Sequence, residues 1–478
     1  MDGASPLLYQ SLASRLSDAI VNGSLKAGDR LPSVRRLSAQ HRVSISTAVQ
    51  AYRHLENARL IEARPKSGYF VLPRGRKLEE PQPSQPPAAA RFVGVNHFVM
   101  EYLACSNLPG VAPLGCATPS EELYPADKLV RLASSIARRD RWVASRYTMS
   151  MGNDKLRSAI ARRAVEFGCT LSASDIVVTN GCTEAINLAL RAVAQPGDTV
   201  ALESPTYFTL LQIIESMGMK ALEIPTHPRE GISLEALDLA THKPGAVKAV
   251  MVITNFSNPL GSLMPDEKKQ RLVRLLAARG IPLIEDDIYG DCYFGRSRPF
   301  VCKAWDRTGN VILCSSFTKS LAPGLRVGWM AGGRLQRQVE MLKFISSIAT
   351  PELPQLAIAE FITNGGYDHH LRKMRAAFQR QVQQTTEAVA EHFPEGCKLT
   401  QPAGGFVLWV ELPPQVDAVR LFELAREQRI AIAPGPMFTN TTRYRNFIRL
   451  NCGNLWTRRL ELAVVQLGQL ARQMIPAH

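Results

Sequence analysis

Residues 315–329 read SSFTKSLAPGLRVGW, and this stretch guides the interpretation of the whole chain. It follows the apolar run Val311–Leu313, which predicts a buried strand. Lys319 then lies among small hydroxyl side chains, three residues after Ser316 and seven before Arg326. Lysine forms Schiff bases because burial can make its amine nucleophilic, and short hydroxyls with an arginine fork suit a phosphate. A lone lysine in a serine-rich loop is usually an ordinary surface residue, so the interpretation depends on the other segments.

The positive charge of the chain is concentrated at its N-terminal end. The 478 residues allow about three domain-sized units, and 45% of them are hydrophobic. Residues 1–76 hold 12 Lys/Arg against 5 Asp/Glu, a net charge of +7, out of +15 for the whole chain. The remaining residues hold 45 against 37, which is only +8 spread over a much longer stretch. A basic N-terminal module is the electrostatic pattern expected of a nucleic-acid-binding domain.

The cysteine pattern and the hydropathy exclude several classes of protein. Nine cysteines are scattered without a C-x-x-C pair, which argues against a disulfide framework and against a metal site, and fits a reducing compartment. The N-terminus lacks the basic and apolar regions of a signal peptide. No apolar run reaches the roughly 18 residues of a membrane helix. We therefore expect a cytoplasmic protein that does not contact a membrane.

The first seventy residues predict a helix-turn-helix followed by a hairpin. Apolar residues at helical spacing predict a helix over 7–22, and Ser33 begins a second, short helix over about 33–40. A third helix begins at Ser44 or Ser46 and runs to about residue 58. Two short strands, 60–64 and 68–71, flank a basic turn. In such an arrangement the helix after the tight turn enters the major groove of DNA, and the hairpin forms a wing.

Four strings in this region, GDRLPSVR (28–35), VSIST (43–47), AYRHLE (51–56) and SGYFV (67–71), closely resemble the winged helix of the GntR-type regulators. The resemblance covers roughly residues 6–72 and implies that the partner is double-stranded DNA. The positions that match the family's DNA contacts are Arg35, Ser33, Ser44, Ser46, Thr47, Lys66 and Gly68. One departure is Ile45, where many members carry arginine, so the base preference at that contact should differ.

Residues 73–94 are rich in proline and have no apolar periodicity. This composition predicts a semi-extended tether between two domains, and a peptide ligand for a proline-reading domain is the less favoured interpretation. Fully extended, such a tether would span at most about 75 Å.

From about residue 145 the chain alternates helical and strand-like segments, which predicts an α/β domain around a mostly parallel sheet. The turn Gly181-Cys182-Thr183 follows a strand and opens a helix, so its N–H groups suit an anion. Asp286 follows the strand 281–284, and ligands bind at this end of parallel strands. Two further strands, 402–410 and 447–451, predict a smaller α+β domain.

These features, in this order along the chain, resemble the site of the fold-type I aminotransferases, which use pyridoxal phosphate (PLP). The resemblance covers roughly residues 110–470. It implies that Lys319 binds PLP covalently and that Asp286 keeps the pyridine nitrogen protonated, so that both are catalytic. Other cofactor-binding positions that it implies are Tyr207 on the ring, Asn258 and Tyr289 at the phenolate oxygen, and Gly181, Cys182, Thr183, Ser316 and Arg326 at the phosphate. Tyr147 would reach across from the partner subunit of a homodimer, and Arg449 with Asn258 would bind the carboxylate of an amino acid. Asn180 replaces the usual serine of the phosphate turn.

A winged helix (1–72), a linker (73–94) and an aminotransferase-like domain (95–478) together form the layout of the MocR-type regulators, a subfamily of the GntR regulators. The resemblance implies a PLP-dependent transcriptional regulator that senses PLP, an amino acid or both. The alternative is an active aminotransferase, which converts an amino acid to a 2-oxo acid and carries an accessory DNA-binding module. A DNA-binding protein with an inactive site is disfavoured because Lys319 and Asp286 are both present. The effector, the operator and the direction of regulation stay open.

Overall fold

The computed structural model describes residues 8–26, 28–58, 60–64, 67–72, 76, 78–85, 89–94, 97–106, 108–148 and 151–476. The chain divides into two units, unit 1 (Met1–Lys77) and unit 2 (Leu78–His478).

Unit 1 contains the predicted winged helix-turn-helix. Its elements are α1 (Leu8–Val21), α2 (Val34–His41), α3 (Ile45–Asn57), β1 (Ile61–Arg64) and β2 (Gly68–Val71). The two strands pair antiparallel, with Ile61 opposite Val71. Tyr52 lies in the centre of the core, where its ring contacts Tyr69 and its hydroxyl donates to the carbonyl of Pro32 at 2.5 Å. Buried leucines of α1, α2 and α3 surround it, so three short helices and one hairpin share a single core.

Unit 2 is built on a large mixed sheet with helices packed against it. Its helices are α4 (His97–Ser106), α5 (Ala126–Arg139), α6 (Asp154–Arg163), α7 (Gly181–Val193), α8 (Phe208–Ser216), α9 (Leu234–Ala240), α10 (Asp266–Ala278), α11 (Gln336–Ser347), α12 (Glu352–Thr363), α13 (Gly366–His392), α14 (Ala418–Glu427) and α15 (Arg458–Gln473). Its strands are β3 (Arg91–Phe92), β4 (Ala112–Pro113), β5 (Val177–Thr179), β6 (Thr199–Ser204), β7 (Lys220–His227), β8 (Gly231–Ile232), β9 (Ala249–Val252), β10 (Leu283–Asp286), β11 (Val311–Ser316), β12 (Gly328–Ala331), β13 (Lys398–Leu399), β14 (Val407–Glu411), β15 (Ile430–Ala431), β16 (Ala433–Pro434) and β17 (Phe447–Asn451).

The large sheet has the order β3-β7-β6-β9-β10-β11-β12-β5, and β8 pairs with β7. The strands from β7 to β11 are mutually parallel, β12 is antiparallel to both of its neighbours, and β3 is antiparallel to β7. The parallel strands are buried on both faces, which explains why they read as continuous apolar runs in the sequence. Their carboxyl ends therefore lie at one edge of the sheet, as the sequence predicted.

A second sheet, β13-β14-β17-β16, forms the smaller α+β part. Its strands pair antiparallel throughout, and Trp409 of β14 lies opposite Arg449 of β17. Buried residues of α13, α14 and α15 pack against it. The predicted fold class, a winged helix-turn-helix with a mostly parallel α/β domain and a smaller α+β part, is confirmed.

The proline-rich segment differs from the predicted tether, because much of it packs against unit 2. The side chain of Leu78 is buried, and the carbonyl of Glu79 accepts a hydrogen bond from Leu399 N at 2.7 Å. Ser84 pairs with Thr226 of β7 through Oγ (2.7 Å) and through its own N–H (3.1 Å). Proline is tolerated where the chain follows the edge of a sheet. A segment of this kind has no apolar periodicity, so its sequence does not show that it packs against the domain. The tether between the units is therefore shorter than 73–94.

None of the helices in the described part of the chain combines the length and the hydropathy needed to span a membrane.

Candidate functional site

A cavity of about 240 Å³ lies at the carboxyl ends of the strands in the large sheet. Asp286 is the last residue of β10, and Thr183 lies in the first turn of α7, which follows β5. The loops after β6, β9 and β11 supply Tyr207, Asn258 and Lys319. The structure thus gathers residues that are far apart in the sequence into one site, as expected for open α/β sheets. Of the predicted cofactor and substrate residues, those that line the cavity are Cys182, Thr183, Tyr207, Asn258, Asp286, Tyr289, Lys319, Arg326 and Arg449.

Lys319 is held inside this cavity by a backbone contact. Its Nζ donates to the carbonyl oxygen of Ala117 at 2.6 Å. Burial lowers the pKa of Lys319 to about 8, and the positive charge of Arg449 acts in the same direction. A lysine with this pKa has a neutral, nucleophilic amine in an appreciable fraction of molecules near pH 7.

Asp286 is buried beside the same cavity. Its Oδ1 accepts hydrogen bonds from Cys182 Sγ and from Ile288 N, each at 3.2 Å. Burial raises the pKa of Asp286 to about 7, and the neighbouring Asp287 adds to the shift. The thiol of Cys182 stays a proton donor because burial raises its pKa well above the usual value. A cationic ring nitrogen in the cavity would stabilise the ionised form of this carboxyl group.

One end of the cavity, which we call the anion end, contains Arg326 and lies at the first turn of α7. Gly181 has φ +79°, and a Cβ at this position would lie 2.5 Å from Arg326 Nη2, so only glycine lets the guanidinium approach this turn. Arg326 Nη2 lies 3.4 Å from the carbonyl oxygen of Asn180. Thr183 and Thr318 add hydroxyl groups to the lining. A helix N-terminus, short hydroxyls and an arginine form a donor set suited to a phosphate.

Ser316 is placed differently from the prediction. Its Oγ donates to the carbonyl of Val327 at 3.0 Å and accepts from Thr318 N at 3.1 Å, and it is not among the residues that line the cavity. Because Ser316 is the last residue of β11, its hydroxyl is used to fix the turn that carries Thr318. Gly181 also acts through its backbone position rather than as a lining residue.

Arg449 forms the opposite end of the cavity. Its Nη1 donates to Asn258 Oδ1 at 3.0 Å, and its Nη2 donates to Tyr102 OH at 3.1 Å and to the carbonyl of Gly115. The side chain is 1% exposed, and its Nε has no hydrogen-bond partner in the described part of the chain. All its acceptors are neutral, and none of the described carboxylates forms an ion pair with it. A buried, uncompensated cation of this kind favours an anionic ligand.

Asn258, Tyr289 and Tyr207 connect the two ends of the cavity. Asn258 Nδ2 donates to Tyr289 OH at 3.3 Å, so one amide group contacts both Tyr289 and Arg449. Burial raises the pKa of Tyr289 and of Tyr207 above the usual value, and both phenols therefore stay protonated.

Tyr147 does not reach this cavity from its own chain. Its side chain is 86% exposed, so a role in the site depends on a second subunit, as the prediction required. Further residues that the sequence motifs did not indicate also line the cavity, among them Tyr102, Cys116, Ala117 and Thr118. These residues come from a region without a motif, and no local pattern could have identified them.

In unit 1, the predicted DNA-contacting serines begin helices. Ser33 Oγ accepts from Arg36 N at 3.3 Å, and Ser44 Oγ accepts from Thr47 N at 3.1 Å. Ser46 Oγ lies 2.7 Å from Ser44 Oγ, and Arg35 is exposed. Gly68 has φ +104° at the turn of the wing, which favours glycine, and Lys66 lies outside the described residues.

The chain combines a basic winged helix with an α/β unit. The cavity of that unit contains a buried lysine and a buried carboxyl group, with Arg326 at one end and Arg449 at the other. These features define a DNA-binding protein with an aminotransferase-like domain. Residues 116–467 match the family described as aminotransferase class I and II, and residues 8–71 match the bacterial regulatory proteins of the gntR family. The chain belongs to both families, in the combined layout of the MocR-type regulators.

A curated relative and two solved structures support this membership. The chain is 39% identical over 467 residues to an uncharacterized HTH-type transcriptional regulator, YdcR, of Escherichia coli, covering 98% of this chain and 99% of that protein. Kynurenine aminotransferase from Pyrococcus horikoshii is similar in structure, with a TM-score of 0.75 and 26% identity over 80% of this chain and 96% of its own. The α-aminoadipate aminotransferase LysN of Thermus thermophilus, solved with N-(5'-phosphopyridoxyl)-L-leucine, has a TM-score of 0.73 and 27% identity over 80% of this chain and 96% of its own.

The aminotransferase class I and II fold identifies PLP as the cofactor, and the residues of the cavity fit it. A reactive amine (Lys319), a buried carboxyl group (Asp286) and an anion end (Arg326) are present together, and each matches one functional group of PLP.

The lowered pKa of Lys319 predicts the pH dependence of cofactor capture. The neutral amine is the nucleophile, so the rate at which the PLP-free protein captures PLP covalently should rise with pH and level off above about 8. An ordinary lysine, with a pKa near 10.4, should keep accelerating by about tenfold per pH unit up to about pH 10. Stopped-flow absorbance between pH 6 and 10 measures this rate, with N-acetyl-lysine as the control. A rate that still climbs tenfold between pH 9 and 10 would contradict the assignment.

Proposed function

We propose that this protein is a cytoplasmic transcriptional regulator that binds operator DNA through unit 1 and senses an amino acid at the PLP site of unit 2. The observation that carries the proposal is the cavity in which Lys319, Asp286 and Arg449 meet, in a chain that also contains a winged helix. Nine free cysteines, eight of them buried, support a reducing compartment.

PLP, when bound, supplies an electrophilic carbonyl carbon and an electron-accepting ring. The residues of the chain supply the rest. Lys319 would provide the amine that holds the cofactor covalently. Asp286 would hold a proton on the ring nitrogen, and Arg326 with the first turn of α7 would hold the phosphate. Arg449 and Asn258 orient the amino acid by its carboxylate.

The exposed surface of unit 2 supports the proposed homodimer. Met341, Phe344, Ile345 and Ile348 are 49–61% exposed and recur at helical spacing on and just after α11. Exposed apolar stripes of this kind commonly mark protein interfaces, and a second copy of the chain is the proposed partner. In such a dimer the exposed Tyr147 is available to the site of the other subunit.

The packed part of the linker offers a route between the ligand and the DNA-binding unit. Glu79 contacts Leu399 in the small sheet, whereas Ser84 contacts Thr226 in the large sheet. Glu80 adds an ion pair with Arg229. A ligand that moves one sheet relative to the other would therefore shift the segment that leads to unit 1, and allosteric coupling needs such a differential contact.

Arg35→Ala tests the DNA-binding part of the proposal. Arg35 is exposed on α2, and its loss should weaken operator binding by about 1–3 kcal/mol if its side chain contacts a base edge. The matched control is Arg15→Ala, which removes the same charge from an exposed position on α1 and should change affinity less. Fluorescence anisotropy with DNA selected from a random-sequence pool measures the affinity of both variants. The affinity of the wild type should also fall steeply as the salt concentration rises. Equal effects of the two substitutions would count against the assigned contact.

An active aminotransferase is the second candidate function, and the joint presence of Lys319, Asp286 and Arg449 favours it. The two candidates differ in turnover. A regulator gives a spectral change with an amino acid but no accumulation of 2-oxo acid, whereas an aminotransferase releases the oxo acid and, with a second oxo acid, cycles repeatedly.

A further inference from the structure

The guanidinium of Arg449 has two N–H groups without a partner in the described part of the chain, one on Nε and one on Nη1, but these two do not form a fork. Each terminal nitrogen of arginine carries two N–H groups. Nη2 uses both, one toward Tyr102 OH at 3.1 Å and one toward the carbonyl of Gly115. Nη1 uses one of its two, toward Asn258. A carboxylate that binds with both oxygens uses either the two terminal nitrogens or Nε together with Nη2. Both arrangements need an N–H of Nη2, so one acceptor on Nη2 must give way.

The carbonyl of Gly115 is the fixed acceptor of the two. A Cβ on Gly115 would lie 2.9 Å from the Tyr102 ring and 3.0 Å from the carbonyl carbon of Ile432, so the backbone is closely packed there. The hydroxyl of Tyr102 sits at the end of a side chain, lines the cavity and can act as donor or acceptor. It is therefore the acceptor that can release Arg449 without moving the backbone.

We propose that Tyr102 is a positioning residue that holds one N–H of Arg449 in the ligand-free protein and gives it up to the carboxylate of the ligand. The hydrogen bond stabilises only the ligand-free state, so Tyr102 lowers carboxylate affinity while it keeps the buried guanidinium oriented. The released hydroxyl stays in the cavity beside the carboxylate.

The position of Tyr102 in the chain gives this exchange a wider consequence. Tyr102 lies on α4, the first helix after β3. The carbonyl of Phe92 in β3 accepts a hydrogen bond from Asn440 Nδ2 at 3.1 Å. The contact that the ligand replaces is therefore made by the first helix that follows the linker segment.

The test is the carboxylate affinity of PLP-loaded, full-length Tyr102→Phe. Isovalerate and 3-phenylpropionate are suitable probes because they carry a carboxylate but no amino group. Their dissociation constants follow from the rise of the unfolding midpoint with probe concentration, each protein being compared with its own unliganded midpoint. We expect a dissociation constant about tenfold lower in Tyr102→Phe than in wild type, the scale of one hydrogen bond to a charged group.

Three comparisons make the result specific. Isovaleramide, which carries no charge, should bind wild type and Tyr102→Phe with equal affinity. Tyr444→Phe removes a partly buried hydroxyl that contacts Ser204 outside the cavity, and it should leave carboxylate affinity unchanged. Tyr102→Met removes the hydroxyl with a different apolar side chain and should shift affinity in the same direction as Tyr102→Phe. An unchanged or weaker affinity in both Tyr102 variants, or no carboxylate binding at all, overturns the inference.

This inference rests on the proposed amino-acid site. Titration with L-amino acids, followed by the visible spectrum of the cofactor, tests that site separately. A spectral response to an amino acid combined with unchanged carboxylate affinity in the Tyr102 variants would remove only the role of Tyr102.

Discussion

Lys319→Ala is expected to abolish the covalent link between the protein and PLP. Wild-type protein loaded with PLP should be yellow, and borohydride reduction should fix the cofactor to the chain at Lys319. The variant lacks the only amine among the residues described as lining the cavity, so no cofactor should remain after reduction and denaturation. The expected loss is complete, because alanine offers no nucleophile at this position.

Lys268→Ala is the matched control for this experiment. Partial burial lowers the pKa of Lys268 as well, yet this lysine lies outside the cavity. Its substitution should leave the covalent link intact, as mass spectrometry of the reduced protein would show. Cofactor fixed to Lys319→Ala at wild-type stoichiometry would overturn the assignment, and a wild type that gains no visible band with PLP would remove the cofactor site altogether.

Arg449→Gln is expected to weaken amino-acid binding by about 3–5 kcal/mol, the scale seen when one partner of a buried charged pair is removed. Glutamine keeps a polar group near Asn258 but loses the charge and the fork. Spectral titration of the PLP-loaded protein with amino acids measures the change, while the yellow colour reports that the cofactor site is intact.

Arg445→Gln provides the comparison, because Arg445 forms an exposed ion pair with Asp417 and does not line the cavity. Surface pairs of this type contribute little, so binding should stay within about twofold of wild type. Equal titration curves for Arg449→Gln and wild type would show that the carboxylate binds elsewhere.

The sequence predicted the parts of the site whose residue types and order are informative on their own. Lys319, Asp286 and Asn258 each follow or end a recognisable strand of the large sheet, and parallel strands bring their carboxyl ends together. Arg449 lies on a recognisable strand of the second, antiparallel sheet. The structure places all four around one cavity. Their predicted roles in binding remain for the substitutions above to test.

The contacts that the sequence could not predict depend on packing between distant segments. Tyr102 and Arg449 are 347 residues apart, and no periodicity or spacing relates them. The thiol of Cys182 on Asp286 could not be foreseen, because the turn that carries Cys182 predicted backbone contacts only. The proline-rich segment was interpreted from composition as a tether, whereas its contacts with β7 and with Leu399 arise only in the folded unit.

The most direct test of the sensor function is operator affinity measured with and without ligand. Full-length protein, DNA selected from a random-sequence pool, and fluorescence anisotropy with footprinting are sufficient, first without PLP, then with PLP, then with each amino acid that changes the cofactor spectrum. We expect that at least one such amino acid changes DNA affinity by about 1–3 kcal/mol or alters the footprint, and that Lys319→Ala loses the effect. If every amino acid that changes the spectrum leaves both affinity and footprint unchanged, the sensor function is contradicted and an aminotransferase becomes the better description.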